Sequence, residues 1–248
     1  MADQRRRDLR QHRPGAPHLD RAVPPGHLIH PGHGGEPAQI ARVRGKPHGD
    51  LPGVLGDQRA GSAWGNDLVG RTGATDIAVS DSRGATWNAG GLDVAALRAH
   101  KLSAGQVAGF PGGTAVPRDD IIGFDCELLV PAAQPDVVTI DNAAKISARV
   151  ILQGANIPVT AEAEAQLAER GVLCVPDVIA NAGGVICAAA EYHGAGRAGA
   201  FAEITEKIRD STTELLDRLR RAPVTPRAAA GQMAHERLRR ALALRRRF

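Results

Sequence analysis

The chain is poor in aromatic side chains: two Trp, one Tyr and four Phe make up 3% of its 248 residues. A core must therefore rest on Val, Leu, Ile and Ala. Cysteine is equally sparse. Cys126, Cys174 and Cys187 stand far apart, with no CxxC pair and no even-numbered framework. That excludes a disulfide scaffold and a cysteine-rich zinc site, and it predicts a reducing, cytoplasmic setting. No run approaches the ~20 apolar residues that span a bilayer, and the start MADQRRRDLRQHRPG lacks the apolar stretch of a secretory signal. Membrane, collagen and coiled-coil readings fall on these absences.

What is present is an ordinary globular balance, 43% hydrophobic and 23% charged, with a net charge of +4 that hides a split. Residues 1–60 hold ten Lys/Arg against six Asp/Glu, and residues 218–248 hold ten Arg against the single acid Glu236. The segment between is acidic, with eleven Lys/Arg against twenty Asp/Glu. Such a distribution is inconsistent with the continuous basic face of a nucleic-acid binder. In the tail, Leu238 and Leu242 share one helical stripe, read as part of a terminal packing helix or of an interaction tail.

Residues 1–60 read differently from the rest. They contain eight Pro, nine Gly, nine Arg and six His, with no Phe, Tyr or Trp. Apart from short fragments such as HLIH and DLPGVLG, no run of eight residues keeps a helical or strand period, so the segment is expected to be disordered or only locally structured. Its histidines (His12, His18, His27, His30, His33, His48) show no metal-ligand spacing, and no metal is expected. Residues 61–248 are expected to form one domain.

Beyond Trp64 the text becomes regular. A helix is predicted near Ala63–Arg71, then a buried strand over Asp76–Ser80 before the turn DSRG. A helix over Leu92–Lys101 follows, then a strand over Cys126–Val130, a short helix over Asn142–Ile146 and a strand over Arg149–Gln153. The next helix starts from an N-cap at Thr160 and stops at Gly171. A strand over Val172–Val175 and helices over Gly184–Tyr192, Phe201–Arg220 and Pro226–Arg245 close the chain. Short apolar strands alternating with helices predict an α/β domain with a doubly wound, mostly parallel, Rossmann-type sheet. Ligands then belong at the carboxyl ends of the strands.

Asp81 stands at such an end, about twenty residues after Gly61. An acid there is the ribose-hydroxyl partner of a dinucleotide site. The string GDQRAG keeps the outer glycines of the phosphate fingerprint as Gly56 and Gly61, but Gln58 replaces the middle one. A plain loop with two glycines explains that string equally well. The later strands end in Pro131–Ala133, Gly154–Asn156 and Asn181–Gly184. Asn156 and Asn181 each offer a donor and an acceptor, as a carboxamide or ribose requires, although turns commonly contain such strings.

GATDIAVSDSRGATWNAGGLDVAALRAHK, GFDCELLVPAA and ARVILQGANIPVTAEAEAQLAERGVLCVPDVIANAGGVICAAAEYHG together resemble the cofactor domain of the glutamate/leucine/phenylalanine/valine dehydrogenases, most of all the glutamate-specific members. The likeness runs from about Trp64 to Arg247. It implies an NAD(P)-dependent amino-acid dehydrogenase performing reversible oxidative deamination of an L-amino acid to a 2-keto acid and ammonia. By that resemblance Asp81 binds the adenosine ribose, and the backbone of Ala132 and Ala133 lines the nicotinamide. Asn156 holds the nicotinamide ribose and Asn181 the carboxamide. Ala188 stands where glutamate-specific members carry a serine that touches the substrate, and Ala188–Ala190 are expected to form a small apolar wall. The acid at Asp81 points to NAD, with NADP open because of Arg83. Intact relatives are expected to be homo-oligomers acting on small molecules, without nucleic acid or membrane.

No counterpart of the family's substrate domain, with its lysines and Pro-Asp element, precedes Trp64, so no catalytic residue is assigned. The change in composition near residue 60 suggests a frame-shifted or truncated reading. It leads to the expectation that the chain alone is inactive. The alternative is a remnant that binds nucleotide weakly or serves as an interaction module.

Overall fold

The structure is a computed structural model that describes residues 40–44 and 75–245. Gly56, Gly61, the six histidines and the helix expected over 63–71 lie outside the described residues.

Among the described residues, seven strands form one sheet in the order β4-β3-β2-β1-β5-β6-β7. They are β1 (Ile40–Arg44), β2 (Thr75–Asp81), β3 (Gly84–Trp87), β4 (Thr114–Val116), β5 (Leu128–Pro131), β6 (Val150–Leu152) and β7 (Leu173–Val175). The helices are α1 (Val94–Ala104), α2 (Ile140–Ala143), α3 (Ala161–Glu169), α4 (Asp177–Ala180), α5 (Gly183–Tyr192), α6 (Arg197–Arg221) and α7 (Pro226–Arg245). The chain winds outward from the centre in both directions, as a doubly wound α/β sheet does. By their pairings β2, β4, β5, β6 and β7 point one way, while β1 and β3 run against them.

Local chemistry explains most element limits. β2 is buried from its second residue to its last, as a strand covered on both faces must be. Asp93 caps α1 by accepting from the Ala96 amide at 3.0 Å, and Gly105 ends it with φ +74°. Thr160 caps α3 as expected, accepting from the Ala163 amide at 3.3 Å. The short helix expected over Asn142–Ile146 begins earlier, at Ile140. There Thr139 and Asn142 form a reciprocal capping box, the Thr139 amide donating to Asn142 Oδ1 at 2.9 Å.

The described side chains form three apolar clusters. Ile77, Leu129, Ile151, Val138, Ile146 and Leu167 fill the space between the sheet and α2–α3. Val175, Ile179, Leu215, Ala230 and Met233 join β7 to α4, α6 and α7. Val79, Leu92, Leu97, Val107 and Phe110 hold α1 against β2. The packing face of α7 is thus Ala229, Ala230 and Met233, whereas Leu238 and Leu242 are 58% and 49% exposed. The stripe expected to pack is the solvent side of that helix.

Two findings depart from the sequence reading. The strand β3 and the edge strand β4 beside it were not expected, because GATW and TAV are too short to show a period. More consequential, β1 lies inside the segment expected to be disordered or only locally structured, and it fills the central slot between β2 and β5, antiparallel to both. Arg44 pairs with Thr75 at the amino end of β2, and Ile40 with Ser80 and Pro131 at the carboxyl ends. The chain therefore leaves β1 on the side of the sheet opposite those carboxyl ends.

Candidate functional site

The carboxyl ends of β5 and β6 are drawn together by small residues. Pro131 O accepts from the amides of Gly154 (3.0 Å) and Ala155 (2.9 Å). A Cβ on Gly154 would stand 3.1 Å from the Ala132 Cβ and 3.3 Å from its Cα. Glycine at one position and alanine at the other are thus what let the two backbones approach. Ala132 and Ala133 are half-buried beside this junction, and Asn156 projects from it into solvent.

Asn181 caps the end of α4, the helix that leaves β7 through Pro176. Its Nδ2 donates to Asn156 Oδ1 at 2.7 Å. Two asparagines placed by the sequence at neighbouring strand ends are thereby joined into one exposed pair.

Next to the pair lies a part-buried polar network that sequence reasoning missed. Asp177 (6% exposed) opens α4, and its Oδ2 accepts from the Ile157 amide at 2.9 Å. Its Oδ1 accepts from Arg227 Nη1 at 3.0 Å. Arg227, in the first turn of α7, also donates through Nε to Glu164 Oε2 at 2.8 Å and through Nη2 to Gln153 Oε1 at 2.9 Å. Gln153 in turn donates to Glu164 Oε1. The neighbouring carboxylates raise the guanidinium's affinity for its proton, led by the Glu164 hydrogen bond. Ile157, which they help to anchor, has φ +47°, unusual for a β-branched residue. It faces Asp136 (φ +52°), whose amide donates to Ile157 O at 3.0 Å.

Asp81 sits at the end of β2 as expected, but its carboxylate turns inward. It is 1% exposed. Oδ1 accepts from the Arg83 amide at 2.9 Å, while Oδ2 accepts from Lys101 Nζ at 2.8 Å and from the Val107 amide at 2.9 Å. Burial pushes its pKa up, yet the Lys101 hydrogen bond and charge and the two amides outweigh burial and hold it below the usual range. At 1% exposure the carboxylate is closed to a ribose hydroxyl unless its surroundings move.

On α5, Ala188 and Ala189 are exposed while Ala190 is 2% exposed. Consecutive helical residues point about 100° apart, so the expected three-alanine wall does not form. A cleft of about 520 Å³ opens between α4–α5 and α6–α7, floored by Ile179 and Ile208 and flanked by Lys207 and Arg237. None of the expected site residues lines it.

Asp76, in β2, is 1% exposed, and neither carboxylate oxygen has a hydrogen-bond partner. Burial raises its pKa from 3.8 to about 7. Cys174 is pushed up to about 12 by burial and the charge of Glu164, against the pull of Arg227, which makes it an inert thiol at neutral pH. No helix among the described residues is long and apolar enough to cross a membrane.

The model of the Glutamate/Leucine/Phenylalanine/Valine dehydrogenase family matches residues 61–246. A glutamate dehydrogenase of Thermotoga maritima is 42% identical over 113 residues, which is 46% of this chain and 27% of that protein. The NADP-specific glutamate dehydrogenase A1 of Halobacterium salinarum is 43% identical over 133 residues, 53% of this chain and 32% of its own length. The hetero-hexameric glutamate dehydrogenase of Thermus thermophilus in its Leu-bound form superposes with a TM-score of 0.65 at 27% identity. That superposition covers 79% of this chain and 48% of the other. The matched region thus spans about a third of those two curated relatives.

Proposed function

The chain belongs to the glutamate/leucine/phenylalanine/valine dehydrogenase family, and from that premise we propose that it is the dinucleotide-binding part of a glutamate-type amino-acid dehydrogenase. The reaction is the reversible oxidative deamination of an L-amino acid to a 2-keto acid and ammonia. The cofactor is NAD, or NADP as in the halobacterial relative.

The observation that carries this reading is the Asn156–Asn181 pair, 2.7 Å apart and open to solvent beside the Gly154–Ala132 junction. A nicotinamide has a flat ring and a carboxamide that donates and accepts. The junction carries only small side chains, which leave its backbone accessible to a flat ring, and the two asparagines offer the donors and acceptors a carboxamide needs. The bound nicotinamide would take a hydride from the substrate's α-carbon. Asn181 orients the carboxamide, Asn156 holds the neighbouring ribose, and the backbone of Ala132 and Ala133 lines the ring. Asp81 closes the β2 turn at which the adenosine ribose lies, and Gly56 and Gly61 flank the pyrophosphate. Ala188, exposed on α5, meets the substrate without a hydroxyl, which favours a less polar amino acid than glutamate. None of these groups moves a proton; they bind and orient. Three cysteines that stand far apart in the sequence, with no CxxC pair, suit a cytoplasmic setting, and self-association is proposed by analogy with the hetero-hexameric Thermus enzyme.

The direction of β1 favours a second reading, a catalytically inactive module that binds nucleotide weakly. A phosphate loop is ordinarily delivered by the first strand to the carboxyl edge, and β1 leaves toward the other. Calorimetric titration of the full chain with NADH and NADPH, followed by nicotinamide reduction with glutamate and leucine, tests both. Tight, saturable binding supports the cofactor-binding part and weak binding supports the module, while turnover by the chain alone would overturn the expectation that it is inactive. Absence of saturable binding by either nucleotide overturns both.

A further inference from the structure

We infer that Arg227 is a positioning residue for the nicotinamide end of the site, setting the spacing of Asn156 and Asn181 through Asp177. Its ligand rests on the cofactor reading above; its geometry does not.

The planar guanidinium reaches three elements at once: Glu164 on α3, Asp177 on α4, and Gln153 beyond β6. A point charge such as lysine cannot reproduce that fork. Through it the C-terminal helix α7 fixes one oxygen of Asp177, which leaves the other oxygen aimed at the Ile157 amide, 2.9 Å away. Ile157 directly follows Asn156, and its left-handed conformation persists only where its surroundings hold it. The main-chain oxygen of the same Asp177 accepts from the Asn181 amide at 2.9 Å. One aspartate therefore reaches both asparagines, by its side chain through the amide of Ile157, next to Asn156, and by its backbone on Asn181. Without Arg227 that carboxylate would be buried without its counter-charge, and it would turn toward water. Ile157 would then relax and carry Asn156 away from Asn181. Docking of α7 and assembly of the carboxamide pair thus become a single event.

The test compares the full chain with Arg227→Lys and, should that variant unfold, Asp177→Asn. Two quantities are read: the side-chain amide ¹⁵N resonances of Asn156 and Asn181, and the Kd for NADH beside that for ADP-ribose, which lacks the nicotinamide. The expected result is that both asparagine signals move, NADH binding weakens about ten-fold, and ADP-ribose binding changes less than about two-fold. Unmoved asparagine signals, or equal losses for the two ligands, would overturn the inference and leave Arg227 a purely structural residue. If the unaltered chain binds neither ligand, the cofactor reading fails and the asparagine resonances alone decide the role of Arg227.

Discussion

Asn181 donates its carboxamide N–H to the carboxamide oxygen of Asn156 at 2.7 Å, across 25 positions of sequence. Because the bond is open to water, its net worth to the fold is at most about 1 kcal/mol. Its position matters more than its strength.

Replacing Asn156→Ala should therefore separate binding from stability. We expect the urea midpoint to stay within experimental error while NADH affinity in calorimetry falls about ten-fold, the equivalent of one lost polar contact. A fall in stability without a fall in affinity would make the pair a structural cap.

The reverse is expected at Asp81. Asp81→Ala removes a carboxylate that holds Lys101 Nζ and the amides of Arg83 and Val107. Losing one member of a buried pair typically costs about 3 kcal/mol. Chemical denaturation should register that loss, and NADH affinity among the folded molecules should change little. A strong, selective loss of affinity would restore Asp81 as the ribose ligand.

Asp76 makes stability depend on pH. Its pKa is raised from 3.8 to about 7 in the fold, so the folded state binds the proton more tightly than the unfolded one. The contribution of Asp76 is then fullest below pH ~4, falls as pH rises toward 7, and levels off above it, by about 4 kcal/mol at most. Asp76→Asn should flatten that slope in urea titrations between pH 5 and 8. An unchanged slope would assign it to other groups.

Gly154→Val should disturb the site by contact. The new Cβ would meet Ala132 at 3.1 Å, so the β5 and β6 ends must separate, at a cost of about 1–3 kcal/mol. Thermal unfolding measures this. A wild-type Tm together with wild-type NADH affinity would show that the junction tolerates width.

Much of this arrangement was legible in the sequence wherever the signal is local. Buried strands announce themselves as short apolar runs, so β2 and β5 to β7 were found, and Thr160 marked the start of α3. Asn156 and Asn181 could be paired by reasoning because each follows a strand and neighbouring strands share an edge. The inward turn of Asp81 was not legible, since it depends on Lys101 reaching back from α1. Arg227 was invisible for a similar reason: its partners Glu164 and Gln153 lie 63 and 74 positions away. The reversed β1 offers only the brief alternation of Ala41, Arg42, Val43 and Arg44, and only its neighbours define its direction.

That reversed strand has a kinetic consequence. Among the described strands, β2 and β5 pair with each other only through β1. The sheet is thus an antiparallel meander (β2–β4) and a parallel unit (β5–β7), fastened by one five-residue strand. Joining Ile40 to Pro131 closes a long loop, and contacts of such high sequence separation form slowly. Until they form, two unpaired central edges face outward, each a template for strands of other chains. Aggregation during refolding should accordingly be governed by how soon β1 is seated.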